Sequence, residues 1–215
     1  MYDTILFDLD GTLTDPGEGI TNSVAYALER YGIHNTDRRE LYCFIGPPLL
    51  ESFQKFYGLT YEQADQGVNY YREYYGTKGI FENKVIDGIP QLLEHLKAAG
   101  KRLIVATSKP EGYSNQILEH YGLAQYFDFV AGALMDNSRT DKAKVIAYAM
   151  EQCGITASDN VIMVGDREHD VIGAKKNGLA CVGVLFGYGS AEELTAAGAV
   201  KLAKDAKELE EILLG

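Results

Sequence analysis

Apolar residues recur along this chain in two rhythms. Short unbroken runs, of the kind that form strands buried on both faces, lie at Thr4–Leu9, Arg102–Ala106, Phe127–Ala131, Asn160–Val164 and Ala180–Phe186, with a short sixth near Val200–Leu202. Between most of them the spacing lengthens to that of an amphipathic helix. Ile89, Leu92, Leu93 and Leu96 follow i, i+3, i+4, i+7, with Pro90 where a first helical turn tolerates it. Val145, Ile146, Ala149 and Cys153 recur similarly, and Leu209, Ile212 and Leu213 predict a terminal helix. Strands alternating with helices predict an α/β fold built on a parallel sheet covered on both faces.

One segment breaks the alternation. Between the first two strands lie about eighty residues with helical patterning and no strand, far more than a parallel crossover needs. Ile20, Val24, Ala27, Leu28 and Tyr31 form one apolar stripe there, and Tyr70, Tyr71, Tyr74 and Tyr75 belong to another helix. The tyrosines read as the small core of an insert rather than as a base-stacking platform. The expected organisation is a Rossmann-like core of residues 1–15 and 86–215 with a helical cap of residues 16–85, hinged at Thr14–Gly17 and Glu82–Gly88.

Size and charge narrow the function. The 215 residues, 46% hydrophobic and 24% charged, suit a soluble globular protein. A formal net charge of −11 disfavours nucleic-acid polymers and anionic lipid, yet leaves small anionic substrates open if a local cation reverses the field in one pocket. Cys43, Cys153 and Cys181 form no CxxC pair and read as reduced core thiols. No stretch is long and apolar enough to span a bilayer, and strand-like sequence begins directly after Met1. The expectation is a cytoplasmic protein without a signal peptide.

The chemistry gathers where strands end. In open parallel sheets, ligands bind beyond the carboxyl ends of the strands. "ILFDLD" ends at Asp8, "LIVATSK" at Thr107 and Ser108, and "VIMVGD" at Asp166, while Lys142 sits in "SRTDKAKVI" at the opening of a helix. Residues two apart on a strand share a face, so Leu6, Asp8 and Asp10 are roughly aligned. Two like charges about 4 Å apart repel by roughly 4 kcal/mol at an effective dielectric near 20, so such acids need compensation. Each residue alone has a plainer reading. Asp10-Gly11 is a turn signal, Asp166 a helix cap, Thr107 and Ser108 N-cap types before "KPEG", and Lys142 a solvated helix lysine. Their convergence on one sheet edge favours a site.

The order Asp8-x-Asp10-Gly11-Thr12-x-x-Asp15, Thr107, Lys142, Gly165-Asp166-x-x-x-Asp170 resembles the haloacid dehalogenase superfamily over nearly the whole chain. The context "GDREHDVIGAKKNG" and the helical insert look like its phosphoglycolate phosphatase-like branch. The resemblance implies a magnesium-dependent phosphatase for small phosphorylated metabolites. Asp8 would be the nucleophile, forming an aspartyl-phosphate, and Asp10 the general acid and then base. Mg2+ would be held by Asp8, the Asp10 carbonyl and Asp166, with Asp170 behind them. Gly11, Thr107, Ser108 and Lys142 would bind the phosphoryl group. In this reading the acids are compensated by magnesium and one lysine. Ser108 departs from the asparagine frequent in relatives. Lys109 either reaches the phosphate or faces solvent and ranks below Lys142. Asp15 reads as structural, and His169 as solvent-facing or cap-facing.

For specificity, "CFIGPPLL" (Cys43–Leu50) is the segment of interest, with Ile45, Gly46 and Pro47 as substrate-reading candidates. A phosphoglycolate carboxylate calls for a cation from the insert, where Arg38, Arg39, Lys55, Arg72, Lys78 and Lys84 are available. A nucleoside calls for stacking by Phe44, Phe53 or the tyrosines, and a 5'-nucleotidase stays open on that ground. A phosphosugar mutase remains a rival, as does a phospho-accepting regulatory domain. The latter would carry its acceptor on a middle strand, and "FDFVAGA" ends without one.

Overall fold

The computed structural model describes residues 2–34, 37–136, 138–158 and 160–215, which form two compact units, residues 1–14 with 85–215 and residues 15–84. The chain passes between them at β2 (Thr14–Asp15) and β3 (Lys84–Val85), which pair as a separate two-stranded sheet.

The larger unit is a six-stranded parallel sheet. Its strands are β1 (Thr4–Phe7), β4 (Arg102–Pro110), β5 (Phe129–Ala133), β6 (Val161–Gly165), β7 (Ala180–Val184) and β8 (Lys201–Ala203), in the order β5-β4-β1-β6-β7-β8. Between the strands run α4 (Ile89–Ala98), α5 (Glu111–His120), α6 (Lys142–Cys153), α7 (Glu168–Lys176) and α8 (Ala191–Ala197), and α9 (Ala206–Leu214) closes the chain. Leu6, Ile104, Ala131, Val145, Ile146, Met163, Cys181 and Leu194 belong to one buried cluster of this unit. Burying each large aliphatic side chain contributes about 1.5–3 kcal/mol, so the unbroken apolar runs are what holds these strands in the middle of the sheet.

This strand order positions the site. From β1 the chain builds outward through β4 and β5, then returns to the other side of β1 and builds outward through β6, β7 and β8. The reversal falls between β1 and β6, paired in register from Thr4↔Val161 to Phe7↔Val164. A ligand crevice belongs at the carboxyl ends of strands flanking such a reversal.

Two boundaries differ instructively from the sequence reading. The third run starts two residues late, at Phe129, because Asp128 serves as a side-chain cap: its Oδ2 accepts from Leu103 N at 3.1 Å. Phe127 instead packs edge-on against Phe7, with ring centroids 6.3 Å apart. The second strand does not stop at Ala106 but continues to Pro110, with a register shift against β5 between those residues. Pro110 is therefore the N-cap of α5, and Thr107 and Ser108 are strand residues rather than caps. Of the cysteines only Cys181 is buried, while Cys43 and Cys153 are half-buried; all three are free thiols.

The smaller unit is helical, with α1 (Gly17–Glu29), a 3₁₀ segment (Arg38–Phe44), α2 (Leu49–Tyr57), α3 (Tyr61–Tyr74) and a single π turn (Tyr75–Gly79). Thr60 caps α3 reciprocally with Gln63. Tyr71 and Tyr75 are buried and stacked at 5.2 Å. Asp15 accepts from Gly17 N at 3.1 Å and pairs with Lys84 at 3.1 Å. Helix α1 meets the π turn closely, since a Cβ on Gly19 would lie 1.9 Å from the carbonyl oxygen of Gly79. Gly19→Ala is expected to cost about 1–3 kcal/mol through overpacking against rigid backbone, read as a lowered urea midpoint. An unchanged midpoint would show that the two backbones part freely.

Candidate active site

At the carboxyl end of β1, Asp8 N donates to Val164 O at 2.9 Å, tying the strand to β6 just before both chains leave the sheet. Asp8 is 7% exposed and Asp166 and Asp170 are each 1% exposed, so three carboxylates are buried together. One oxygen from each lies within 4.8 Å of the others.

Lys142 answers this cluster from the first turn of α6. Its Nζ stands 2.6 Å from Asp8 Oδ1, 2.9 Å from Asp170 Oδ1 and 3.1 Å from the Ala106 carbonyl. A lysine at a helix N-terminus opposes the helix dipole; here the buried acids outweigh that local preference. Burial pulls the ammonium toward its neutral form, but Asp170 and Asp8 prevail and hold its pKa above the ordinary lysine value. Burial raises the pKa of Asp166 well above the usual carboxylate range, and the neighbouring charges of Asp170 and Asp8 add to it. Asp170 is also raised by burial, although Lys142 opposes the shift.

A second lysine serves Asp10. Lys109 Nζ lies 2.6 Å from Asp10 Oδ2, with side-chain exposures of 5% and 12%. Lys109 N donates to Thr107 Oγ1 at 3.2 Å, and Thr107 is itself buried. Burial raises the pKa of Asp10, and the adjacent Lys109 charge works against that. Lys109 is thus a buried partner of an acid and does not face solvent. The acids of this site face two lysines, not one.

The set of donors fits a hard divalent cation. Asp8, Asp10, Asp166 and Asp170 bring four carboxylates against the ammonium groups of Lys109 and Lys142, a shortfall of two positive charges when all are ionised. Asp166 Oδ1 is buried without a hydrogen-bond partner. Oxygen donors of this kind suit Mg2+, and orphaned buried oxygens are costly unless a cation or water meets them.

Glycines make the crowding possible. A Cβ on Gly165 would lie 2.3 Å from the Asp170 carboxyl, and one on Gly173 would lie 2.9 Å from Lys142 Cγ. After β7, "GYG" packs directly on Asp166. Tyr188 N donates to Asp166 Oδ2 at 2.7 Å, and a Cβ on Gly189 would lie 2.0 Å from the Asp166 carbonyl oxygen. Gly11, at φ +80, leaves no room for a Cβ beside Asp166 Oδ2. Asp166 is not a cap; Asp170 fills that role for α7, its Oδ2 accepting from Arg167 N at 3.1 Å. Gly11 and Gly165 belong to the motifs read from the sequence; Gly173 and the glycines of "GYG" do not, although Gly-x-Gly directly after a buried run is a visible signal for close backbone approach.

The structure therefore gathers Asp8, Lys142, Asp166 and Asp170 in one cluster and places Thr107 and Lys109 at the end of β4, with Asp10, three residues beyond β1, paired to Lys109. Ser108 is half-buried and His169 exposed. Ile45, Gly46 and Pro47 belong to the helical unit, where Ile45 is buried, Gly46 exposed at φ +103 and Pro47 half-buried. Of these three, Gly46 and Pro47 carry the accessible surface of that segment. Phe44 and Phe53 are buried against each other at 5.0 Å and are not stacking surfaces.

Comparisons with known proteins agree with this picture. Residues 5–184 match the family described as haloacid dehalogenase-like hydrolase. A crystal structure of a predicted phosphatase from Clostridium acetobutylicum is 50% identical, with a TM-score of 0.96 over 100% of this chain and 99% of that one. A Pseudomonas aeruginosa protein named 5'-nucleotidase is 45% identical over 99% of this chain and 96% of its own length. A Mycobacterium tuberculosis protein named tyrosine-protein kinase PtkA is 40% identical over 97% of this chain and 72% of its own.

Proposed function

The chain belongs to the haloacid dehalogenase-like hydrolases and is a phosphatase of that family; within it, we propose that it is a magnesium-dependent phosphomonoesterase working through a phosphoryl-Asp8 intermediate. The observation that carries this reading is the unequal pairing of its two strand-end acids. Asp8 is held by Lys142 in the cluster that fits a cation, while Asp10 is held apart by Lys109. Two neighbouring carboxylates given different partners can divide the work of nucleophile and proton carrier.

In the first half-reaction an Asp8 oxygen attacks phosphorus, and the bond from phosphorus to the leaving oxygen breaks as Asp10 gives that oxygen a proton. In the second, Asp10 takes a proton from water as the water oxygen bonds to phosphorus and the Asp8–phosphorus bond breaks. Lys142 keeps Asp8 oriented and adds positive charge beside the transferring group, and Thr107 and the backbone after it donate to the phosphoryl oxygens. Asp8, the Asp10 carbonyl and Asp166 would hold Mg2+, with Asp170 behind them. Bound there, the ion supplies charge neutralisation that lets an anionic nucleophile approach an anionic substrate.

Phosphoglycolate and nucleoside monophosphates are both small monoesters within reach of this chemistry. The relative named 5'-nucleotidase, matched along nearly its full length, favours nucleotides. So do the exposed rings of Tyr42 and Phe56, 44% and 40% accessible in the helical unit that carries Gly46 and Pro47. The phosphoglycolate reading requires a cation from that unit, where Arg39 pairs with Asp37 and Lys84 with Asp15 while Arg38, Lys55, Arg72 and Lys78 stay as candidates.

A phosphate-release panel of nucleoside monophosphates, phosphoglycolate, sugar phosphates, pyrophosphate and phosphotyrosine, with and without Mg2+, tests the assignment. Turnover of monoesters that disappears on chelation and returns with Mg2+ is expected. Activity confined to pyrophosphate, or indifferent to the metal, would overturn it.

A further inference from the structure

We propose that Lys109 is the positioning residue for Asp10: it pins Oδ2 and thereby assigns proton transfer to Oδ1. This rests on the reading of Asp10 as proton carrier and goes beyond it by naming the atom and the group that selects it.

Strand β4 runs to Pro110, so Lys109 is a strand residue rather than the start of a helix, and it is buried like Thr107 while Ser108 between them is half-buried. Its stem is buried, and the ammonium reaches Asp10 Oδ2 at 2.6 Å across from the end of β1. The Lys109 amide is fixed as well, donating to Thr107 Oγ1 at 3.2 Å. The two oxygens of Asp10 are therefore unlike. Oδ2 receives a charge-assisted hydrogen bond from a buried lysine, while Oδ1 is buried with no hydrogen-bond partner. An oxygen already accepting from an ammonium at that distance is a poor seat for a proton that must be handed on. The other oxygen is unencumbered and held in a set direction, because the ion pair restrains rotation of the carboxyl group.

The first half-reaction then has a defined course. As the Asp8–phosphorus bond forms and the phosphorus–oxygen bond breaks, the proton moves from Asp10 Oδ1 to the leaving oxygen, and Oδ2 stays on Lys109. In the second, Oδ1 receives the proton from the attacking water. In this role Lys109 acts on the reaction through Asp10 rather than by contact with phosphorus or the leaving group. Lys142, by contrast, contacts Asp8 and Asp170, so the two lysines pair with different acids.

Leaving-group dependence separates this role from phosphate binding or a general structural one. An alkoxide needs a proton to depart, whereas p-nitrophenolate departs well without one. The ratio kcat/KM reports the steps up to and including that departure, so it isolates the first proton transfer. In the full-length protein with Mg2+, Lys109→Met is expected to lower kcat/KM by about 100-fold for a nucleoside 5'-monophosphate or other alkyl phosphate that the wild type hydrolyses, and by less than about threefold for p-nitrophenyl phosphate. Asp10→Asn should show the same selectivity, and adding Lys109→Met to it should change kcat/KM for the alkyl ester by no more than about twofold, as for two residues acting as one unit. The double variant removes both charges together, so this comparison still reads out if Lys109→Met alone folds poorly.

Equal losses on both substrates, or losses that multiply in the double variant, would place Lys109 on the phosphoryl group or in the scaffold and overturn the proposal. An Asp10→Asn variant without leaving-group selectivity would instead strike at the acid assignment beneath it. A wild type that hydrolyses neither ester would strike at the phosphatase reading itself.

Discussion

Asp8→Asn should reduce phosphate release by roughly 10⁴-fold or more, the scale seen when a nucleophile is removed from a covalent mechanism, while the protein stays folded. The carboxamide keeps the size of the carboxylate and can still accept a hydrogen bond from Lys142, but it offers no anionic oxygen to attack phosphorus. The fold should tolerate the change because the Asp8 charge is part of the crowding. It helps raise the pKa of both Asp166 and Asp170, after the larger effect of burial on each. Neutralising it relieves repulsion, and Lys142 retains Asp170 at 2.9 Å as its partner. The melting temperature without added metal should therefore hold or rise as turnover disappears. Acid-quenched wild-type protein should carry phosphate on the peptide containing Asp8. Retention of more than about one-hundredth of wild-type turnover by the variant, against the scale expected for a nucleophile, would move the nucleophile elsewhere.

Lys142→Met should have the largest effect on stability. Removing one partner from a buried ion pair typically costs about 3–5 kcal/mol, because the remaining charge has neither water nor counter-ion, and here Asp8 and Asp170 are both left behind. The loss should depend on pH. In the wild type, the lysine pKa lies above its unfolded value. Its stabilisation is therefore fully present below the ordinary lysine pKa and is lost only as pH rises through the folded value, in the alkaline range. In the variant the remaining dependence keeps that sign but moves to the carboxylate range. Asp170 is already raised by burial, and Lys142 is what opposes that shift. Without it the folded state binds the Asp170 proton more tightly still, so variant stability should climb more steeply as pH falls toward the ordinary carboxylate range. Urea denaturation at about pH 7 and about pH 5 should show the deficit shrinking at the lower pH. A deficit constant with pH would mean that the lysine stem, and not its charge, supplies the stability.

How much of this was readable in advance differs from residue to residue. Asp8, Asp166 and Lys142 stood at the ends or openings of strongly patterned elements, where a strand's direction tells which edge of the sheet its last residue reaches. The alternation of runs and helical stripes was enough to indicate a parallel sheet. Lys109 shows the opposite case. "SKPEG" looks like a loop entering a helix, because proline and glycine are turn residues, and the side chain was left to choose between phosphate and solvent. What extends β4 to Pro110 is its pairing with β5, a contact between residues more than twenty positions apart. The same holds for Phe127, which reads as strand by composition and instead packs on Phe7, and for Ile45, a substrate-reading candidate that the fold buries.

The amino-acid order alone thus determined which elements form and which polar residues end up at the edge where strands stop, since both follow from periodicities local to a few turns of chain. Only the tertiary structure decided which lysine pairs with which acid, which carboxyl oxygens remain without a partner, and which glycines clear the space between them. Those outcomes depend on distances of 2.6 to 3.1 Å between groups up to 134 residues apart. Electrostatic compensation inside a protein is a property of such short separations, and no spacing along a sequence encodes them.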